Sequence, residues 1–204
     1  MKIRLSAHLE NYITINMIKN LLLIIFISLF FKSLCTASDF RDSEWGMSKE
    51  QIELLEKTQP VYPEKDTLTY IGKVADLQVN IIYKFTDNKL KVGTYKFITK
   101  YANNNVYLRD YEKINDFLDL KYGKPEIRKE TWNNESYKDR KGYYGNAVSI
   151  GYYVLESKWS NGKTIIIHQL SGSNNIIDHS IDYFDKNSTV DKREGKEINE
   201  IKGL

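Results

Sequence analysis

Histidine and carboxylate chemistry is the first to weigh in this chain. His168 and His179 fall in a stretch that also holds Asp178 and Asp182. A neutral imidazole binds metals and exchanges protons near neutral pH, so two rings brought together with a carboxylate would make a minimal metal or acid–base site. The two histidines approach each other if the strands carrying them pair. A zinc site takes three or four ligands in a fixed geometry, and the spacing supplies only two, so the expectation is for exposed or core-edge histidines and for neither metal nor cofactor. Asp178 and Asp182 offer a second chemistry, a carboxylate pair for hydrolysis of cell-wall or glycan substrates, with only their closeness in sequence behind it.

Nucleophilic catalysis has less to build on. No Gly-x-Ser-x-Gly elbow occurs, nor the companion signatures of a Ser-x-x-Lys enzyme, and Cys35 is the single cysteine. Gly142-Tyr-Tyr-Gly145 and Ser171-Gly-Ser173 are too sparse to cradle phosphate. Asp110, Glu112, Asp116 and Asp119 read as the solvated face of a helix, and no catalytic residue is expected. Tyrosine is the one surplus, with 15 in the chain. Tyr137, Tyr143, Tyr144, Tyr152 and Tyr153 crowd one loop and the start of one strand, and tyrosines mixed with charges suit a protein-binding or glycan-binding surface. The competing reading is that they fill the core and face of a Tyr-rich sheet, since tyrosine favours strands.

Export sets the context for that surface. Residues 21–31 form an apolar run of 11 residues after Lys19 and before the small residues Cys35, Thr36 and Ala37. Charged, apolar and small-residue regions in that order make a secretory signal, and the run falls short of the roughly 20 residues that span a bilayer. Cleavage after Ala37 places small residues at both specificity positions, whereas lipidation at Cys35 would follow a poorly matched Lys32-Ser-Leu34. Residues 1–16 carry Glu10 ahead of a second methionine, so Met17 is read as the start. A mature chain from Ser38 has no cysteine, hence no disulfide framework and no thiolate metal site. Setting aside Lys2, Arg4, Lys19, Lys32 and Glu10 leaves 26 basic and 26 acidic residues, which argues against a nucleic-acid partner.

The elements that must position these residues follow from periodicity. Ser48 and Gln51 fit a capping box, with Met47 and Ile52 as a hydrophobic staple, for a helix from Lys49 to about Lys57 whose apolar face Leu55 continues and which Pro60 and Pro63 end. Residues 68–74, 77–85 and 89–98 alternate as three strands of an antiparallel meander, with Asp87-Asn88 as a turn. Tyr107, Tyr111, Ile114, Phe117, Leu118 and Tyr122 recur at helical spacing, with Gly123 as cap and Pro125 as stop. Strands at 127–132, 152–159, 164–170 and 176–184 follow, with a polar loop at 133–142, an unassigned segment at 143–150, a hairpin turn at Asn161-Gly162 and a loop at 171–175. The expected fold is α+β: two layers, an antiparallel sheet with helices on one face, and a tandem helix-plus-meander order. Domain limits are a signal at 1–37, one domain at 38–184 with halves 38–102 and 103–184, and a charged tail at 185–204.

Trp45-Gly-Met-Ser-Lys-Glu-Gln-Ile52, with Leu118-Asp-Leu-Lys-Tyr-Gly-Lys-Pro125, Lys158-Trp159 and Thr164-Ile-Ile-Ile-His-Gln-Leu170, resembles exported bacterial proteins of uncharacterised function that open on a Trp-Gly-Met-Ser segment. More remotely, the chain resembles the helix-plus-sheet domains of the outer-membrane assembly lipoproteins and the tandem β-lactamase-inhibitor fold. That resemblance implies a protein that binds other proteins and catalyses nothing; the poorly matched lipidation site means it does not imply a membrane tether. Trp45, Gly46 and Met47 also have a structural reading, as a ring buried at the sheet edge, a tight turn and a helix staple. Together the sequence leads to an exported, periplasmic or secreted, non-enzymatic domain that recognises another envelope or extracellular protein through a sheet face and the 137–153 region. A glycan hydrolase, or a carrier with a ligand cavity between helix and sheet, are the alternatives.

Overall fold

The computed structural model describes residues 38–188, except Pro63, together with Lys19. The expected signal at 1–37, Lys19 apart, and the tail from residue 189 onward lie outside the described residues.

Seven strands form one antiparallel sheet: β1 (Thr67–Val74), β2 (Leu77–Thr86), β3 (Lys89–Phe97), β4 (Ile127–Trp132), β5 (Tyr153–Asn161), β6 (Thr164–Ser173) and β7 (Ile176–Asp185), in the order β1-β2-β3-β7-β6-β5-β4. Both meanders therefore belong to one continuous sheet, joined where β3 runs against β7 with Tyr95 opposite Ile181 and Gly93 opposite Tyr183. Three hairpins turn on two residues that both take positive φ, Ala75-Asp76, Asp87-Asn88 and Asn174-Asn175. Such turns twist in the sense the strands do, which fixes the register at each end. The β6–β7 connection is thus tighter than the expected 171–175 loop. At the fourth hairpin Asn161 pairs with Thr164, so the turn is Gly162-Lys163, one residue later than expected, with Gly162 at φ 54°.

Alternation sends one set of side chains to a covered face. Leu68 and Tyr70 of β1, Val79, Ile81 and Tyr83 of β2, Ile181 and Tyr183 of β7, Ile166 of β6 and Trp159 of β5 are buried there. Three helices pack on this face: α1 (Lys49–Glu56), α2 (Asn105–Tyr122) and the short α3 (Tyr144–Ser149), which resolves the unassigned 143–150 segment. α1 has the full capping box of Ser48 and Gln51, and Met47 and Ile52 both pack into the core. Leu55, expected on that face, stays 39% exposed in the last turn of the helix, which ends one residue later at Glu56 with Lys57 as a left-handed cap. α2 buries Tyr111, Ile114, Asn115 and Leu118 and leaves Phe117 about half exposed, so its inward stripe is narrower than the apolar spacing suggested.

The Trp-Gly-Met-Ser opening acts as a clasp. Gly46 donates its N–H to Leu90 and Met47 accepts from Leu90, pinning the segment to the start of β3. The Trp45 indole donates to the Thr164 hydroxyl at 2.9 Å, and Asp39 takes the Trp45 N–H and the Lys163 ammonium. Trp45 therefore sits at the end of an interior strand, not at the sheet edge. Order also continues past residue 184: Asp185 ends β7 in a 2.9 Å ion pair with Lys91, and Ser188 is buried.

Candidate functional site

The two histidines meet. β6 and β7 pair with Leu170 opposite His179 and His168 opposite Ile181, which puts both rings on the helix-covered face one step apart. Their Nε2 atoms are 2.8 Å apart, and His168 Nδ1 is 2.9 Å from Asn115 Oδ1 on α2. A carboxamide oxygen only accepts, so His168 carries its proton on Nδ1 and its Nε2 accepts the Nε2–H of His179. The same Asn115 side chain bonds the Tyr111 hydroxyl, which lies 3.0 Å from Ser157 Oγ. The His168 ring stacks on Tyr111 at 4.2 Å and the His179 ring on Phe97 at 4.1 Å.

Both imidazoles are thereby held neutral. Burial is the main cause for each, pushing His168 well below its ordinary value and His179 down to about 3; the neighbouring ring adds to the effect at His168 and Lys96 at His179. The histidines are thus core residues, not exposed or core-edge ones. Asp178 and Asp182 do not join them. They point to the opposite face, where Asp178 pairs with Lys96 and Asp182 accepts from Thr94 at 2.7 Å and Ser180 at 3.0 Å. Four residues apart on one strand, the two carboxylates are separated by about 13 Å along the chain, beyond the roughly 5–9.5 Å of a glycosidase pair. Among the described residues no group of three or more His, Cys, Asp or Glu side chains could hold a metal.

The five tyrosines divide. Tyr153 is buried, stacked on Trp132 at 4.2 Å with its hydroxyl donating to Glu130 at 2.7 Å. Tyr144 packs edge-on to Trp132 at 5.0 Å and donates to the Lys138 carbonyl at 2.6 Å. Tyr152 and Tyr144 are half-buried against the second core cluster, with Leu155, Leu170 and Val148. To this extent the core-filling reading holds. Tyr137 is likewise half-buried against that cluster, and only Tyr143 is different: its ring lies 6.1 Å from that of Tyr137 on the 133–143 loop and is 53% exposed.

That loop buries little, yet it is fastened at many points. It contains two 3₁₀ turns, Glu135–Tyr137 and Lys141–Tyr143. Asn133 and Asn134 both donate backbone N–H groups to the Tyr152 carbonyl, and the Asn133 amide donates to Gly151. From the first turn of α2, Asn105 donates to the Gly142 carbonyl at 2.7 Å and accepts from the Gly145 N–H at 2.8 Å, while Asn104 bonds Asn146. Gly145 is required there, since a Cβ would stand 2.3 Å from the Asn104 backbone. Lys138 is paired with Glu135 at 2.5 Å, whereas Arg140 and Lys141 are exposed and form no ion pair among the described residues. The signal that could have marked these anchors is the Asn103-Asn-Asn105 run, whose amides serve both the helix start and the distant loop.

The interior between helices and sheet is filled by the two core clusters. A pocket of about 200 Å³ opens beside α1, lined by Arg41, Glu56, Lys57 and Tyr83 among others. Glu56 there accepts from Tyr83 and pairs with Arg41 at 2.9 Å, so its charges are already matched. The chain matches no protein-family model, and no curated protein or solved structure shows significant similarity to it.

Proposed function

We propose that this is an exported, non-enzymatic binding domain that recognises another envelope or extracellular protein through the 133–143 loop. The observation that carries the reading is the pairing of exposure with fixation: Tyr143, Arg140 and Lys141 are displayed, with the half-buried Tyr137 beneath them, on a segment held by side-chain amides from α2 and by the backbone around Tyr152. A loop ordered before contact loses little entropy on binding, and tyrosine and arginine are the side chains that interfaces concentrate. The apolar run before Ala37 and the resemblance of the Trp45 opening to exported proteins support the location.

Affinity capture from the envelope fraction of the source organism tests this, with Tyr143→Ala/Arg140→Ala as control. One protein retained by the native chain and released by an equally stable double variant is the expected outcome. Equal retention by both chains removes the loop from the account.

A further inference from the structure

α2 is seated by its apolar residues and by the Asn115–His168–His179 chain, which crosses from the helix through β6 to β7. Its start, ten and eleven residues before Asn115, holds the loop through Asn105 and Asn104. Building on the binding role proposed above, we propose that the His168–His179 pair is an acid-sensitive latch, whose protonation loosens α2 from β5–β7 and with it the 133–143 binding loop.

Hydrogen-bond geometry supplies the first argument. The 2.8 Å contact between the two Nε2 atoms needs one donor and one acceptor. A proton added to His168 Nε2 would set two N–H groups face to face. A proton added to His179 Nδ1 would keep the bond but bury a cation away from water, a cost that the attraction of the stacked Phe97 face offsets only in part. Neither ring has room to turn away, since His168 is wholly buried and His179 is 2% exposed.

The surroundings supply the second argument, because among the described residues no carboxylate bonds either ring. From α2 the pair meets the Tyr111 phenol and the neutral Asn115; from β3 it feels Lys96 and from β4 Arg128, both positive. The carboxylates near those two cations, Asp178 and Asp119, are already paired with them. β5 brings Ser157 to the Tyr111 end of the chain, where Glu156 is also felt at the phenol without bonding either imidazole, and the buried residues of α3 are Gly145, Ala147, Val148 and Ser149, none titratable. In the unfolded chain each histidine protonates at its ordinary value near 6.5, whereas folded His179 does so only at about 3 and folded His168 well below its ordinary value. Between those limits the open form binds more protons, so stability is full above about pH 6.5 and falls as the pH drops.

Amide hydrogen exchange of the full chain at pH 7.5 and pH 5, corrected for the intrinsic pH dependence of exchange, tests the latch. Expected is a loss of protection of at least about tenfold in α2 and residues 133–146 at pH 5, with both opening more readily than β1–β3, which exchange only through global unfolding. Unchanged protection in α2 overturns the proposal, as do histidine ring resonances of the folded protein that titrate near 6.5. His168→Gln/His179→Gln, which cannot titrate, is expected to show the same protection at both pH values. Should that variant not fold, urea unfolding of the native chain decides: two such histidines raise the unfolding constant on the order of several hundred-fold between pH 7 and pH 5. A rise under about tenfold overturns the latch. If α2 and the loop loosen at pH 5 but Tyr143→Ala leaves partner retention at pH 7.5 unchanged, the latch stands and the binding role of the loop falls.

Discussion

Asn115 is the residue on which the buried polar chain turns. Its oxygen fixes the tautomer of His168, and its nitrogen serves Tyr111, so one carboxamide satisfies groups on α2 and β6 together. Asn115→Ala leaves an N–H of His168 buried without an acceptor, and chemical denaturation should register a loss of about 2–3 kcal/mol, more than a surface change allows. Tyr143→Ala is expected to stay within about 0.5 kcal/mol of the native chain, because the ring is over half exposed and bonds to nothing that holds the fold. The histidine approach was legible from strand spacing, since pairing of the last two strands must bring positions 168 and 179 close. The part played by Asn115 was not. An asparagine within an apolar helical stripe carries no mark of its partner, which is set by how the helix lies across the sheet. Asp178 and Asp182 misled for a related reason: alternation along the strand sends both to the face opposite His179, and four residues of extended chain keep the two carboxylates about 13 Å apart.

Among the elements, strand β3 shows how local pattern and distant packing divide the work. Its alternation is plain in the sequence, but Gly93 at its centre is explained by Phe40, whose ring lies where a Gly93 Cβ would stand, 2.2 Å from the nearest ring atom. Phe40 is buried and packs against Tyr83, Tyr95 and Tyr183 with centroids 5.0–5.2 Å away. Gly93→Ala should therefore cost about 3 kcal/mol by displacing this ring. Gly162→Ala offers the contrast, since nothing lies within 4 Å of its would-be Cβ and only its φ of 54° resists; about 1 kcal/mol is expected there. Thermal denaturation of both variants checks the pair, and equal costs would mean that Phe40 does not fill the space over Gly93. α1, the three-strand meander and the limits of β4 could be read directly from caps and alternation. α3 escaped, because six residues give too few turns for a helical period to stand out, and because Gly145 is chosen for its contact with α2.

For the molecule as a whole, two meanders of the expected α+β fold merge into one sheet at β3 and β7. Nothing local signals that junction, since it joins residues almost ninety positions apart, as in the Thr94–Asp182 hydrogen bond. The merged sheet puts its helices on one face, with the displayed loop fastened to α2 at one end. Its other face carries the buried Val92, Thr94 and Ser180 around Asp182, whose carboxyl is raised by burial against the pull of its hydroxyl partners. The proposed binding role rests on the loop, and site-directed photocrosslinking in the source organism tests it most directly. A benzophenone side chain at position 143 is predicted to capture one protein that the same group at Ile71, an equally exposed position on β1, does not capture. Capture of the same proteins from both positions, or none from position 143, would contradict the account.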